Sequence, residues 1–443
     1  MTGVDSTKIN QTDCEINIIT LGCSKNLVDS EQLAAQLEQN GFRITYEAEQ
    51  PLPVTIINTC GFIEDAKMQS IETILACAEQ KTTGEIKILI VFGCLSERYV
   101  HDLRKEIPEL DAVFGVNSLP NILSYLNARV CSDMLTVRKI STPAHYAYLK
   151  ISEGCSHRCA FCAIPQIRGK QVSKPVEVIR DEALVLTEQG VKEIILVAQD
   201  LTHYGYDIYK KRQLFTLLEE LLKIKNIGWL RLHYLYPNFF QTDILELMKE
   251  YPQLCNYLDI PVQHIHDEIL EAMNRNITGD QIRRLFDTIR NKIPSVAIRT
   301  SVIVGFPGER KKHFNQLRDF LQESQLDRVG IFTYSHEENT PAFKLKETVS
   351  RKEKENRKEE LMLVQQHISL QKNRQKTGQT IKTIIDKQEN EHYTGRTEFD
   401  SPEVDNTVIV LKQKEPLRVG DFYNVKISSA EDYDLTGTVC SEL

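Results

Sequence analysis

Six cysteines could do chemistry in this sequence. Three lie in one run, Lys150-Ile151-Ser152-Glu153-Gly154-Cys155-Ser156-His157-Arg158-Cys159-Ala160-Phe161-Cys162, spaced C-x3-C-x2-C. Thiolates are the soft ligands that hold iron-sulfur clusters, and a cubane with three protein thiolates keeps one iron open to an exogenous ligand. A zinc site would want a fourth donor, for which His157 is awkwardly placed inside so tight a loop, and three unrelated buried cysteines are the other alternative. The remaining three, Cys23, Cys60 and Cys94, stand beside Gly22, Gly61 and Gly93, which would let backbone approach a bulky group closely.

Cys155, Cys159 and Cys162, with Phe161 just before the last, resemble the C-x3-C-x-aromatic-C signature of radical S-adenosylmethionine enzymes. That resemblance implies a 4Fe-4S cluster on these three thiolates.

The elements around the other three cysteines read as an open parallel α/β sheet over about residues 1–135. Short apolar runs at Ile16 to Leu21, Val54 to Asn58, Ile86 to Phe92 and Ala112 to Val116 alternate with helical patterns at Ser30 to Gln39, Glu64 to Gln80 and Ser96 to Ile107. Cys23, Cys60 and Cys94 follow the first three strands. Ligands of such sheets bind beyond the carboxyl ends of the strands, so these cysteines should converge on one site. Cys14, Cys77, Cys131, Cys255 and Cys440 share no such position and read as small buried hydrophobes.

Residues 140–370 carry six strand-like runs: His145 to Ser152, Glu193 to Ala198, Trp229 to Tyr234, Tyr257 to Ile260, Ala297 to Gly305 and Arg328 to Tyr334. All but the last are followed by a helix, which suits an incomplete parallel (β/α)6 barrel with chemistry at the carboxyl ends of its strands. The cysteine run follows the first strand. Gln199, Gln263 and Arg299 are polar groups near that face, although such residues also serve as plain structural donors. His264 and His266 read as surface or capping histidines. The mixed-sign run 351–360 reads as a solvated helix face, with Leu361, Val364 and Ile368 turned to the barrel. Residues 374–443 hold five short strands with turns between them, a small antiparallel β-barrel.

The first domain resembles the amino-terminal part of the methylthiotransferase family at Gly22-Cys23-Ser24-Lys25-Asn26-Leu27-Val28-Asp29-Ser30-Glu31, Asn58-Thr59-Cys60-Gly61-Phe62-Ile63 and Gly93-Cys94-Leu95. Ser24 stands where relatives often have proline. The resemblance implies a second 4Fe-4S cluster on Cys23, Cys60 and Cys94, S-adenosylmethionine as both radical source and methyl donor, a Gly305 to Pro307 segment bordering its adenosine beside Phe161, and Gln199, Gln263 and Arg299 as candidates to bind its polar parts. The last domain resembles the TRAM module. Within the family, Gly22 to Asp29, Asp259 to His264 and Thr397 to Asp405 are similar to the branch that modifies an aspartate of small-subunit ribosomal protein twelve. Methylthiolation of a transfer-RNA adenosine is the competing activity, and a non-catalytic iron-sulfur redox protein is a third reading. An electron donor such as flavodoxin or ferredoxin is implied, and the sulfur source is left open.

Composition narrows the partners. The chain has 443 residues, a formal net charge of -8 and eleven cysteines. An odd number of thiols without an apolar leader argues for thiolate chemistry in the cytoplasm rather than a disulfide framework, and no run nears the roughly 20 apolar residues that span a bilayer. Residues 374–443 hold nine Lys/Arg against thirteen Asp/Glu. An acidic barrel grips phosphates poorly and suits a basic protein, so RNA contact is not favoured.

Overall fold

The computed structural model describes residues 14–132, 136–412 and 415–442; the polar start Met1 to Gln11 and the expected first-domain end at 135 lie outside them. The first sheet is entirely parallel, in the order β2-β1-β3-β4-β5. Its strands are β1 (Glu15–Thr20), β2 (Arg43–Tyr46), β3 (Val54–Thr59), β4 (Ile88–Gly93) and β5 (Ala112–Val113). Strand β2 is additional to the sequence expectation. Its four residues, Arg-Ile-Thr-Tyr, bury only Ile44, so the apolar signal that marks the central strands is missing. Because β1, β3 and β4 are neighbours, the segments leaving them start about 5 Å apart. The switch in strand order lies between β1 and β3, where a parallel sheet opens a crevice.

Helix α1 (Ser24–Gln39) begins six residues before the expected start, with Cys23 as its N-cap. Helix α2 (Glu64–Thr82) follows β3, and the expected Ser96 to Ile107 helix is broken at Tyr99 into α3 (Cys94–Arg98) and a second short helix, Val100–Glu106.

The middle sheet is β6 (Tyr146–Lys150), β9 (Glu193–Val197), β10 (Trp229–Leu232), β11 (Leu254–Asp259), β12 (Ala297–Val304) and β13 (Arg328–Thr333), six parallel strands in that spatial order. A ribbon of β7 (Ser152–Glu153) with β8 (Val172–Ser173) frames the cysteine run between β6 and β9. The main apolar core lies between this half-closed barrel and its outer helices. The helix Arg351–Gln375 packs along β13, burying Leu361 and Ile368, with Val364 against the same core.

The last sheet is a closed five-stranded barrel, β14 (Thr380–Gln388), β15 (His392–Thr397), β16 (Thr407–Leu411), β18 (Asp434–Glu442) and β17 (Phe422–Ala430). It was expected to be antiparallel throughout, but it closes through one parallel pairing, β16 with β18. The chain passes from β16 to β17 before returning as β18 between them. This barrel sits against the inner face of the middle sheet, where Ile384, Phe399 and Phe422 cover Trp229, Cys255, Tyr257 and Ala297.

Two cysteine triads at one domain interface

The first triad is held from several sides. Cys155 N–H donates to the Gly169 carbonyl at 3.0 Å, Ala160 N–H to Met273 O at 2.9 Å, and Ala342 N–H to Ala160 O at 2.8 Å. Cys155 and Cys159 are buried, and Arg275 donates to Cys159 Sγ at 3.6 Å. Burial pushes the Cys155 and Cys162 thiols up to about 12. Ionising these two sulfurs there therefore calls for added positive charge, which an iron-sulfur cluster would bring. Phe161 packs beside Ala160, Phe306 and Tyr334, walling the site with apolar surface. His157 does not join the thiolates: its Nε2 is 2.6 Å from Asp200 Oδ2, and its ring stacks on Tyr236 at 4.0 Å. The zinc alternative thus loses its fourth donor.

The second triad is assembled by polar stitching that the sequence pattern did not announce. Asn26 donates to Leu21 O (2.8 Å) and Thr59 O (3.2 Å), while Asn58 donates to Asn26 O (2.7 Å) and Ser30 Oγ (3.0 Å). Ser70 Oγ accepts from Cys60 N–H at 3.0 Å and donates to its carbonyl at 2.9 Å. These bonds tie the start of α1 to the ends of β1 and β3. The glycines serve this closure: a Cβ on Gly22, whose φ is +95°, would fall 2.6 Å from Cys60 Cβ, and one on Gly61 would fall 2.6 Å from Leu95 Cα. Burial raises the Cys60 thiol, and it pushes Cys94 up to about 11. At Cys23 burial is outweighed by Lys25, Arg168 and the backbone N–H groups of Asn26 and Lys25 at the helix start, so its thiol is lowered. All six cysteines are free thiols, suited as donors to a cluster. Of the five others, Cys77 and Cys255 are buried as expected, whereas Cys14 and Cys131 are half-buried and Cys440 is exposed.

The two triads adjoin. Ala163, directly after Cys162, and Ile167 pack on Cys94. The next residue, Arg168, donates from Nε to Cys94 Sγ at 3.3 Å and from Nη2 to Asn26. Its Nη1 lies 2.8 Å from Glu153 and 3.2 Å from Asp29, carboxylates that Lys150 also pairs. Asn26, Asn58 and Arg168 escaped the sequence reading because neither a buried amide nor a single arginine has a spacing signature.

The other anticipated residues divide. Gln199 Nε2 donates to Glu153 at 3.1 Å, and its Oε1 is buried without a partner. Gln263, half-buried, has φ +71° and bridges to β12. Gly305 N–H donates to Glu309 at 2.7 Å, and Arg357 pairs that carboxylate at 2.6 Å, so the turn through Phe306 and Pro307 has a rigid backing. Arg299 is engaged by Asp259 (3.1 Å) and by Asp405 of the last domain (3.4 Å). His266, Glu268 and His313 are close enough to hold a metal ion. However, Nδ1 of His266 accepts from Glu268 N–H, and Nδ1 of His313 accepts from Arg310 N–H. The neutral rings therefore carry hydrogen on Nε2 and present no lone pair there.

The half-barrel and its thiolate loop, with a second thiolate site on an open sheet, define a radical S-adenosylmethionine enzyme. Family models match accordingly: the radical SAM superfamily over residues 149–321, the uncharacterized protein family UPF0004 over 15–115, and the TRAM domain over 377–440. Among solved structures, a radical S-adenosylmethionine methyltransferase, TsrM, from Kitasatospora setae shares the fold, with a TM-score of 0.54 and 13% identity over 72% of each chain. Ribosomal protein uS12 methylthiotransferase RimO of Flavobacterium psychrophilum is 50% identical over 96% of this chain and 97% of its own. The protein of the same name from Christiangramia forsetii is 48% identical over 95% and 93%. The chain belongs to this uS12 methylthiotransferase family.

Proposed function

We infer that this protein is a radical S-adenosylmethionine methylthiotransferase that adds a methylthio group to the β-carbon of an aspartate of ribosomal protein uS12. It works in the cytoplasm with two 4Fe-4S clusters and takes electrons from a small redox protein of the flavodoxin or ferredoxin kind. The packing of Ala163 and Ile167 on Cys94 carries this reading, because it sets the two thiolate sites side by side.

Replacing an unactivated C–H by C–S is beyond an ordinary general base, so a radical source and a sulfur source must face one carbon. When bound, a cluster on Cys155, Cys159 and Cys162 would hold S-adenosylmethionine and supply the electron for its cleavage, and a cluster on Cys23, Cys60 and Cys94 would supply sulfur. The chain's own residues arrange the encounter. Phe161, Phe306 and Tyr334 exclude water beside the first triad. Gln199, Gln263 and the Gly305 to Pro307 turn are suited to the polar and adenosine parts of S-adenosylmethionine, whereas Arg299 is assigned to anchoring the last domain. Arg168 and Lys150 balance Asp29 and Glu153 between the sites, so these four charges nearly cancel.

The test is mass spectrometry on a strain lacking the gene, covering both the uS12 peptide and digested transfer-RNA nucleosides. Loss of the methylthio group from the peptide alone is expected. Loss from adenosine alone would overturn the substrate assignment.

A further inference from the structure

Lys25 stands two residues after Cys23 and is only 9% exposed. Among the described residues no carboxylate lies within ion-pairing distance of its ammonium. Its neighbours in the same space are paired: Lys150 and Arg168 with Asp29 and Glu153, Arg299 with Asp259 and Asp405. What Lys25 touches is the face of Tyr234, 3.7 Å from Nζ to ring centroid. A cation–π contact offsets only part of the desolvation of a buried ammonium.

Tyr234 is itself held at a cost. Its φ is +62°, a conformation a bulky L-residue rarely adopts. Two hydrogen bonds fix it: Tyr234 N–H donates to Asp259 at 3.1 Å, and its carbonyl accepts from Leu201 N–H at 3.0 Å. The residue lies just past the carboxyl end of β10, at the end of the barrel where the Cys155 loop stands. On its other side Lys25 sits in the first turn of α1, two residues after Cys23. A strained aromatic and a buried cation that no carboxylate among the described residues pairs therefore face each other between the two triads.

We propose that Lys25 receives the carboxylate of the substrate aspartate and so determines specificity for an acidic side chain. This rests on the reading that the substrate is a protein aspartate. The reacting β-carbon is one bond from that carboxylate, so a fixed ammonium beside Cys23 sets the distance of the reacting carbon from the second triad. A neutral adenine or carboxamide gives the ammonium no charge to bind.

The holoenzyme, loaded with iron, sulfide and S-adenosylmethionine, is titrated by fluorescence anisotropy with a uS12 peptide bearing the aspartate and with the same peptide bearing asparagine. Lys25→Met is expected to weaken the aspartate peptide about ten- to a hundredfold, as for a lost charge-assisted hydrogen bond, and to leave the asparagine peptide unchanged. Lys25→Arg keeps the preference for aspartate and carries the test if Lys25→Met fails to load its clusters. Equal binding of the aspartate peptide by Lys25→Met and the unsubstituted enzyme overturns the assignment, as does loss of the preference in a fully loaded Lys25→Arg. If the unsubstituted enzyme neither prefers nor modifies the aspartate peptide, the substrate reading falls and the Lys25 assignment with it.

Discussion

Arg168→Leu removes a side chain bonded to both sides of the triad interface. The guanidinium is almost fully buried, with 2% of its side chain exposed, and it contacts Glu153, Asp29, Asn26 and Cys94 Sγ. Without it, Lys150 alone faces two carboxylates, and Glu153, which Lys150 and Arg168 hold well below the usual carboxylate range despite its burial, loses one of its two cations. Breaking a buried pair by deleting one partner costs about 3–5 kcal/mol, and the partial exposure of Asp29 places this case near 3. At about 2 cal/mol/K per residue, the melting temperature of a chain this long falls by roughly 3 °C if it unfolds as one unit. Scanning fluorimetry of the metal-free protein reads that shift. A second readout is local. Arg168 helps lower the Cys23 thiol, so iodoacetamide should alkylate Cys23 more slowly in the variant at pH 7. A melting temperature within a degree of the unsubstituted protein, together with unchanged Cys23 alkylation, would refute the bridging role.

Other perturbations separate the sites. Cys159→Ala should abolish S-adenosylmethionine cleavage, while Cys60→Ala should leave some uncoupled cleavage; sulfur insertion by Cys60→Ala at the normal rate would sink the two-cluster reading. Gly22→Ala places a Cβ against Cys60 at a positive φ, so iron analysis should show about half the iron with the first triad still loaded. His264 is buried with its pKa lowered to about 3, so the unfolded chain binds a proton that the folded chain refuses between about pH 6.5 and 3. Stability should therefore fall as pH drops through that window, by about 1.4 kcal/mol per unit at most, and denaturant titrations of His264→Gln should show a shallower slope.

The apolar runs placed ten strands of the two parallel sheets and the five of the small barrel to within a few residues, because central strands buried on both faces leave continuous signals. They failed at β2, where solvent faces half the side chains, and at the start of α1, where Cys23 to Asp29 is too polar to show a period. The cysteines were legible because thiol chemistry restricts residue type and, in one triad, spacing. Their polar supports were not. Asn26 bonds to Leu21 and Thr59, and Arg168 to Cys94, across separations that only the fold defines.

The acidic last domain shows how a sound charge count can mislead. Asp386 pairs with His145 and is bonded to Arg396, whose other partner is Glu193 of β9; Asp400 pairs with Arg328, Asp405 with Arg299, and Asp421 with Lys192. Tyr257 also donates to Asp405 at 2.7 Å. Four carboxylates thus face the middle barrel and are not offered to a basic partner. Burial of such pairs contributes geometry more than stability, since desolvation offsets most of the Coulomb gain. They fix the last domain over the inner, lower end of the barrel strands and leave the carboxyl end, with both triads, uncovered by it. Arg396→Met should therefore loosen the last domain, read as faster proteolysis near residue 376, while both clusters stay loaded. Loss of cluster iron in that variant would mean that the last domain shapes the thiolate sites directly.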